Sequence, residues 1–157
     1  AISQITGSAF EKNWFFEQSS AFMTVTWSWL LYTGMIIILV LAGILAIPGD
    51  LVEAARIDGA SEMEINFKVR LPLIRTILGT SVILAATSML REFELIYLTT
   101  NGGPGETTLN LPLYLYKTSM TDNNYGYANM MGVVLILAGI LTVYAINRLF
   151  RMNEADY

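Results

Sequence analysis

The chain has no cysteine, no histidine and only 4 prolines in 157 residues. Without cysteine there is no disulfide framework and no thiolate metal site. Without histidine, Ser-His-Asp catalysis and imidazole–metal chemistry are excluded within this chain, and no metal site is expected. Charge is scarce as well: 14% of the residues are charged against 54% hydrophobic, and the mean hydropathy is +0.52. A soluble domain of this length needs more charge to cover its surface. The formal net charge of −4 gives no electrostatic footprint for nucleic acid. The carboxylates outside residues 48–71 form no catalytic pair. No GxxxxGK[ST] phosphate loop is present, since Gly103-Pro104-Gly105-Glu106-Thr107-Thr108 lacks the lysine. The chain is therefore expected to be no enzyme, to hydrolyse no ATP itself and to carry no cofactor.

The charges that are present are clustered. Positions 18–49 hold none at all, a stretch well beyond the ~20 residues needed to span a bilayer. This run begins too far in, continues too long and lacks a basic leader, so it is not read as a secretory signal peptide. Two further apolar segments follow. The expected organisation is an all-α membrane protein with about three transmembrane helices, at 20–47, 72–98 and 125–150. Segment 48–71 is a polar loop, 99–124 a second loop carrying the turn-forming Asn101-Gly102-Gly103-Pro104-Gly105, and 1–19 and 151–157 are flanking segments. Pro48-Gly49 is a strong breaker at the end of the first span.

Orientation follows from lysine and arginine. With three spans, Arg56, Lys68, Arg70, Arg75, Arg148 and Arg151 share one side, and Lys12, Arg91 and Lys117 the other. The bias puts the 48–71 loop and the C-terminus in the cytoplasm and the 1–19 and 99–124 segments outside, in a multi-pass protein of the cell membrane.

The 48–71 loop is the most structured part of the polar sequence. Asp50 and Glu53 have capping-box spacing, which predicts a helix starting just after Pro48-Gly49. Ala54 and Ala55 favour helix and let another surface come close. Gly59 is the natural left-handed residue ending that helix. Ser61 and Glu64 form a second box opening a second helix, and Leu71-Pro72 turns the chain into the next span. The result is a helical elbow. Its acids (Asp50, Glu53, Asp58, Glu62, Glu64) outnumber its bases (Arg56, Lys68, Arg70, Arg75). An acidic elbow is a poor binder of an anionic leaflet, so a protein partner suits it better than lipid.

Glu53-Ala54-Ala55, three residues, Gly59, nine residues, Val69, one residue, then Leu71-Pro72 resembles the signature loop of permease subunits of binding-protein-dependent ABC importers. Val69 stands where that family usually has isoleucine. Ile47-Pro48, Leu51, Ile57-Asp58-Gly59-Ala60, Ile96-Tyr97-Leu98-Thr99, Gly102-Gly103-Pro104-Gly105 and Gly126-Tyr127-Ala128 resemble its carbohydrate, maltose-type branch. The resemblance runs from about residue 13 to 151. It implies the C-terminal half of a six-helix permease core, the fourth to sixth helices with a cytoplasmic coupling-helix elbow between the fourth and fifth. It implies as partners ABC ATPase subunits, a second permease subunit, an extracytoplasmic solute-binding protein and membrane lipid. Within the elbow it makes Glu53, Ala54, Ala55, Asp58 and Gly59 the ATPase-coupling residues, with Glu53 meeting a basic residue of the ATPase. The plain alternative for Glu53 is a helix cap.

Ser28, Leu31, Tyr32 and Met35 share one helical face of the first span, and Ala85, Ser88, Met89 and Glu92 one face of the second. Ionisable residues inside a span are functional candidates by default; the alternative is that Arg91, Glu92 and Glu94 sit at the interface. The resemblance implies a translocation path between these spans, assigned to Ser28, Tyr32, Met35, Ser88, Met89 and Glu92, with aromatic and polar groups suited to sugar. The Gly102–Gly105 loop would touch the solute-binding protein, or be a plain turn. The competing readings are an importer permease for a non-sugar solute (amino acid, peptide or anion) and a non-transport membrane scaffold.

Overall fold

The computed structural model describes residues 13–150 and 152. Most of the 1–19 flank and of the 151–157 tail, with Lys12 and Arg151, lies outside the described residues. Among the described residues every regular element is a helix. Helix α1 (Ala21–Ser28) runs through a 3-10 turn (Trp29–Tyr32) into α2 (Thr33–Leu45). The elbow follows: α3 (Gly49–Ile57), α4 (Glu62–Ile65), a π-helical stretch (Asn66–Arg70) and one further turn, α5 (Leu71–Leu73). Then come α6 (Arg75–Arg91), α7 (Glu94–Thr99), α8 (Leu111–Met120) and α9 (Tyr125–Phe150).

Among the described residues two stretches are long and apolar enough to cross a membrane, Ala21–Leu45 and Tyr125–Phe150. A third exists if Glu62–Leu73 and Arg75–Thr99, bent by 66° between them, are taken as one broken span. The run Ile36-Ile37-Ile38 is rich in a strand-favouring residue and is nevertheless helical. Lipid offers backbone N–H and C=O groups no partners, and only a helix satisfies them within one segment. Hydroxyls follow the same rule. Ser28, Thr80, Ser81 and Thr142 each donate to the carbonyl four residues back, at 2.8–2.9 Å.

The described structure departs from the sequence expectation at several ends. Asp50 does not cap α3. Pro48 is the N-cap and gives no side-chain bond, so Asp50 falls within the first turn, where it faces the helix dipole instead. The chain turns into the second span at Ile74 (φ −92°, ψ 5°), not at Leu71-Pro72. Pro72 has no N–H to give Lys68, and its ring crowds that carbonyl. The preceding π turn, in which the Leu71 N–H reaches back to the Asn66 carbonyl, absorbs the mismatch. Within 99–124, read as loop, α8 forms: Asn110 accepts from the Leu113 N–H at 3.1 Å, with Pro112 in the first turn.

The chain forms two compact units, 1–31 with 92–132, and 32–91 with 133–157. In the first, Val25, Ile96 and Leu113 make a small core joined by Phe93, Leu95, Leu109 and Tyr116. Phe93, Tyr97 and Tyr116 pack ring on ring, with centroids 5.0–5.3 Å apart. The Asn110 amide donates to the Glu92 carbonyl. The 100–109 loop is tied from inside. The buried Thr100 and Thr108 hydroxyls bond each other at 2.7 Å, Thr108 also donates to the Gly103 carbonyl at 2.8 Å, and the Lys117 ammonium donates to the Asn101 carbonyl at 2.8 Å.

In the second unit α2 packs on α6. Both meet their neighbours through glycine. A Cβ at Gly43 would sit 2.5 Å from the Ile77 Cδ1, and one at Gly79 3.0 Å from the Phe150 Cβ and 2.4 Å from the Met152 sulfur. The Ile77 methyl is the free end of a side chain and can move. The Phe150 Cβ is fixed to its backbone and cannot. Gly79→Ala is therefore expected to cost more than Gly43→Ala, within the ~1–3 kcal/mol of overpacked cores. The check is the thermal midpoint of the purified protein in detergent; equal midpoints for the two variants would contradict this packing.

Candidate functional site: the elbow between α2 and α6

The elbow is built by backbone caps at a single turn. At the end of α3, the Gly59 N–H bonds the Arg56 carbonyl and the Ala60 N–H the Ala55 carbonyl, both at 3.0 Å. This is a Schellman closure with Gly59 at φ +82°, a conformation in which a side chain would be strained. Two residues on, the predicted second box is complete. Ser61 Oγ accepts from the Glu64 N–H at 3.3 Å, and the Ser61 N–H donates to Glu64 Oε2 at 3.1 Å.

Ion pairs reinforce the same turn. Arg56, on α3, holds Glu62, on α4, at 2.7 Å; Lys68 holds Glu64 at 2.8 Å; Arg70 donates to Asn66 at 2.7 Å and lies 3.9 Å from Glu62. All are exposed. Such pairs contribute roughly 0–1 kcal/mol each, so the backbone caps, not the charges, set the shape. What the pairs do decide is the charge left over. Arg56, Lys68 and Arg70 are engaged inside the elbow, whereas Asp50, Glu53 and Asp58 have no ion pair among the described residues. The elbow's outward charge is therefore negative.

Hydrogen bonds from Lys68 and Ser61 hold the Glu64 carboxyl down from 4.5 to about 2. Its folded value lies below its unfolded one, so its stabilisation is complete above about 4.5 and is lost as pH falls toward 2.

Of the proposed coupling residues, Ala55, Asp58 and Gly59 line a cleft of about 360 Å³ together with Glu64, Ile65 and Lys68. Glu53 and Ala54 are exposed and lie outside that lining. Ile57, beside them on α3, is 86% exposed. The cleft and the internal pairing of the cations were not foreseen. The opposite charges of Arg56 and Glu62 across a glycine turn were the available signal.

The proposed path residues are distributed over several elements. Ser28 ends α1, half-buried, its hydroxyl given to the Thr24 carbonyl. The Tyr32 side chain lies outside the described residues. Met35 opens α2 and is 72% exposed; Ser88 and Met89 are exposed near the end of α6. Glu92 lies in the break between α6 and α7, where its carboxylate accepts the Leu95 N–H at 3.0 Å. Sequence reasoning missed that Glu92 also caps a helix. Ser28 and Glu92 belong to the first unit, Met35, Ser88 and Met89 to the second. Among the described residues no group of three or more acidic side chains could hold a metal ion.

These features define an all-α membrane protein with a capped polar elbow between α2 and α6. The chain belongs to the family of binding-protein-dependent transport system inner membrane components, which matches residues 9–153. It is 39% identical over 120 residues to the multiple sugar-binding transport system permease protein MsmF of Streptococcus mutans, covering 74% of this chain and 41% of that protein. It is 36% identical over 145 residues to the trehalose/maltose transport system permease protein MalF of Thermococcus litoralis, covering 88% and 48%. With the diacetylchitobiose uptake system permease protein NgcF of Streptomyces coelicolor it shares 33% over 127 residues, covering 78% and 36%. The chain thus spans less than half the length of these relatives.

Ser61→Ala removes one cap, worth about 1 kcal/mol. Amide exchange at Glu64 and Ile65 is expected to quicken about fivefold near pH 7. Protonating Glu64 below 4.5 takes away only the carboxylate half of the box, in both proteins, and leaves the Ser61 Oγ–Glu64 N–H bond of the unmodified one, so a difference should remain as pH falls toward 2; equal exchange at pH 7 would contradict the assignment.

Proposed function

We infer that the chain forms part of the translocation path of an importer permease for a sugar or oligosaccharide, driven by a separate ATPase subunit that docks on the elbow. The observation that carries this reading is the elbow itself, rigidly capped, with its cations engaged internally and three carboxylates of α3 and its cap directed outward. A stiff helical lever with an acidic face suits a protein that pushes on it; a lipid surface would favour the opposite charge. The family and the sugar-transport names of the relatives support the transport role and favour sugar over other solutes.

In this reading Glu53, Ala54, Ala55, Asp58 and Gly59 transmit closure of the ATPase to the spans. The lysine and arginine bias supports a cytoplasmic elbow. A second permease subunit completes the path, and the internally tied 100–109 loop meets the solute-binding protein outside. Ser28, Tyr32, Met35, Ser88, Met89 and Glu92 line the path.

Glu53→Lys and Gly59→Asp are expected to abolish sugar uptake while leaving the permease in the membrane. ATP hydrolysis stimulated by the loaded binding protein, measured in proteoliposomes, is the check; its survival in both variants would remove the coupling role. For the path, Tyr32→Ala and both Glu92→Ala and Glu92→Gln are expected to change selectivity in competition uptake. Gln keeps an acceptor for the Leu95 N–H, so an effect confined to Ala would mark Glu92 as a cap and not a path residue.

A further inference from the structure

The cleft in the angle of the elbow has a composition that the docking of α3 alone does not require. Its acidic groups are Asp58 and Glu64 and its one cation is Lys68. Lys68 is bound to Glu64 at 2.8 Å, so that pair is internally neutral. Asp58 is left, exposed, with no ion pair among the described residues. The lining therefore carries one uncompensated negative charge, and its accessible apolar part comes from Ala55, Ala60 and Val69, with Ile65 buried beneath them. Gly59 contributes no side chain, and the position its Cβ would take has nothing within 4 Å. The elbow's other cations cannot fill the cleft: Arg56 is held by Glu62, and Arg70 by Asn66 and Glu62. The nearby carboxylates Asp50 and Glu53 on α3 extend the negative field around it.

Resting on the coupling reading above, we propose that this cleft receives a single lysine or arginine side chain of the ATPase subunit, its charged head on Asp58 and its aliphatic stem on Ala55, Ala60 and Val69. Long cationic side chains combine an apolar stem with a charged end, and the lining offers a partner for each. An anionic lipid headgroup is repelled by the same lining. The contact is separate from the one proposed for Glu53, which lies outside the cleft. It makes the elbow a socket on its inner side as well as a knob on its outer one. Asp58 then steers association while the cleft volume sets the fit.

The test uses the full permease with its ATPase in native membranes, scoring ATPase retained on solubilised permease at rising salt. Asp58→Asn removes charge without changing shape, and it touches no bond that holds the elbow. It is expected to weaken retention about tenfold at low salt, with the difference shrinking toward 1 M, where the screening length falls to ~3 Å. Asp58→Glu should restore retention. Ala55→Leu, which fills the cleft and leaves its charges, should weaken retention at every salt concentration. Retention equal to the unmodified protein in both Asp58→Asn and Ala55→Leu overturns the proposal. If Glu53→Lys still abolishes stimulated hydrolysis in that case, the coupling reading stands and only the socket falls. If Glu53→Lys also leaves hydrolysis intact, both fall.

Discussion

Backbone polar groups have no partner in hydrocarbon, and this one constraint organises the chain. It forces helix on a sequence whose isoleucine runs favour strand. It turns the serine and threonine hydroxyls back on their own helices. Above all it concentrates irregular backbone, and with it chemistry, where helices end. Each such end has a specific device: the Schellman closure at Gly59, the Ser61–Glu64 box, Asn110 at the start of α8 and the Glu92 carboxylate before Leu95. The candidate site is the place where two of these devices meet within three residues.

Charge plays a different part from the caps. The exposed pairs add little to stability, yet they determine what a partner would meet. By engaging Arg56, Lys68 and Arg70 among themselves, Glu62, Glu64 and Asn66 leave the carboxylates of Asp50, Glu53 and Asp58 as the free charge of the elbow. A loop that is nearly balanced in composition thus becomes directional in structure.

Local signals were readable from the sequence. Gly59 needs a left-handed conformation, and Ser61 and Glu64 have box spacing; both take those positions, while Pro48-Gly49, read as the end of a helix, lies beyond the end at Leu45 and opens α3. The misses came from competition between neighbours or from contacts distant in sequence. Pro48 took the N-cap that Asp50 had the chemistry to fill. The strain of Pro72 appears upstream as a π turn and downstream as the bend at Ile74, because a helix distributes a missing bond over its neighbouring turns. Asn110 and Pro112 did signal α8, but the glycine-rich stretch before them dominated the reading. The cleft, the Gly43–Ile77 approach and the Gly79–Phe150 approach require the folded chain and have no sequence period of their own.

The internal pairing of the elbow's cations also bears on how the protein is made. Positive residues bias the orientation of a span while the chain is being inserted, and acidic residues count for little at that stage. Once α3 and α4 close, Arg56, Lys68 and Arg70 are bound to neighbours. In the orientation proposed above, the same three side chains act twice, first as a topological signal in the nascent chain and later as struts in the folded one. Replacing Arg56 with a neutral residue removes one strut from an elbow held mainly by backbone caps, but it also removes one of the few charges that direct insertion. In that proposal a single substitution at Arg56 bears on insertion first and on the folded elbow only later.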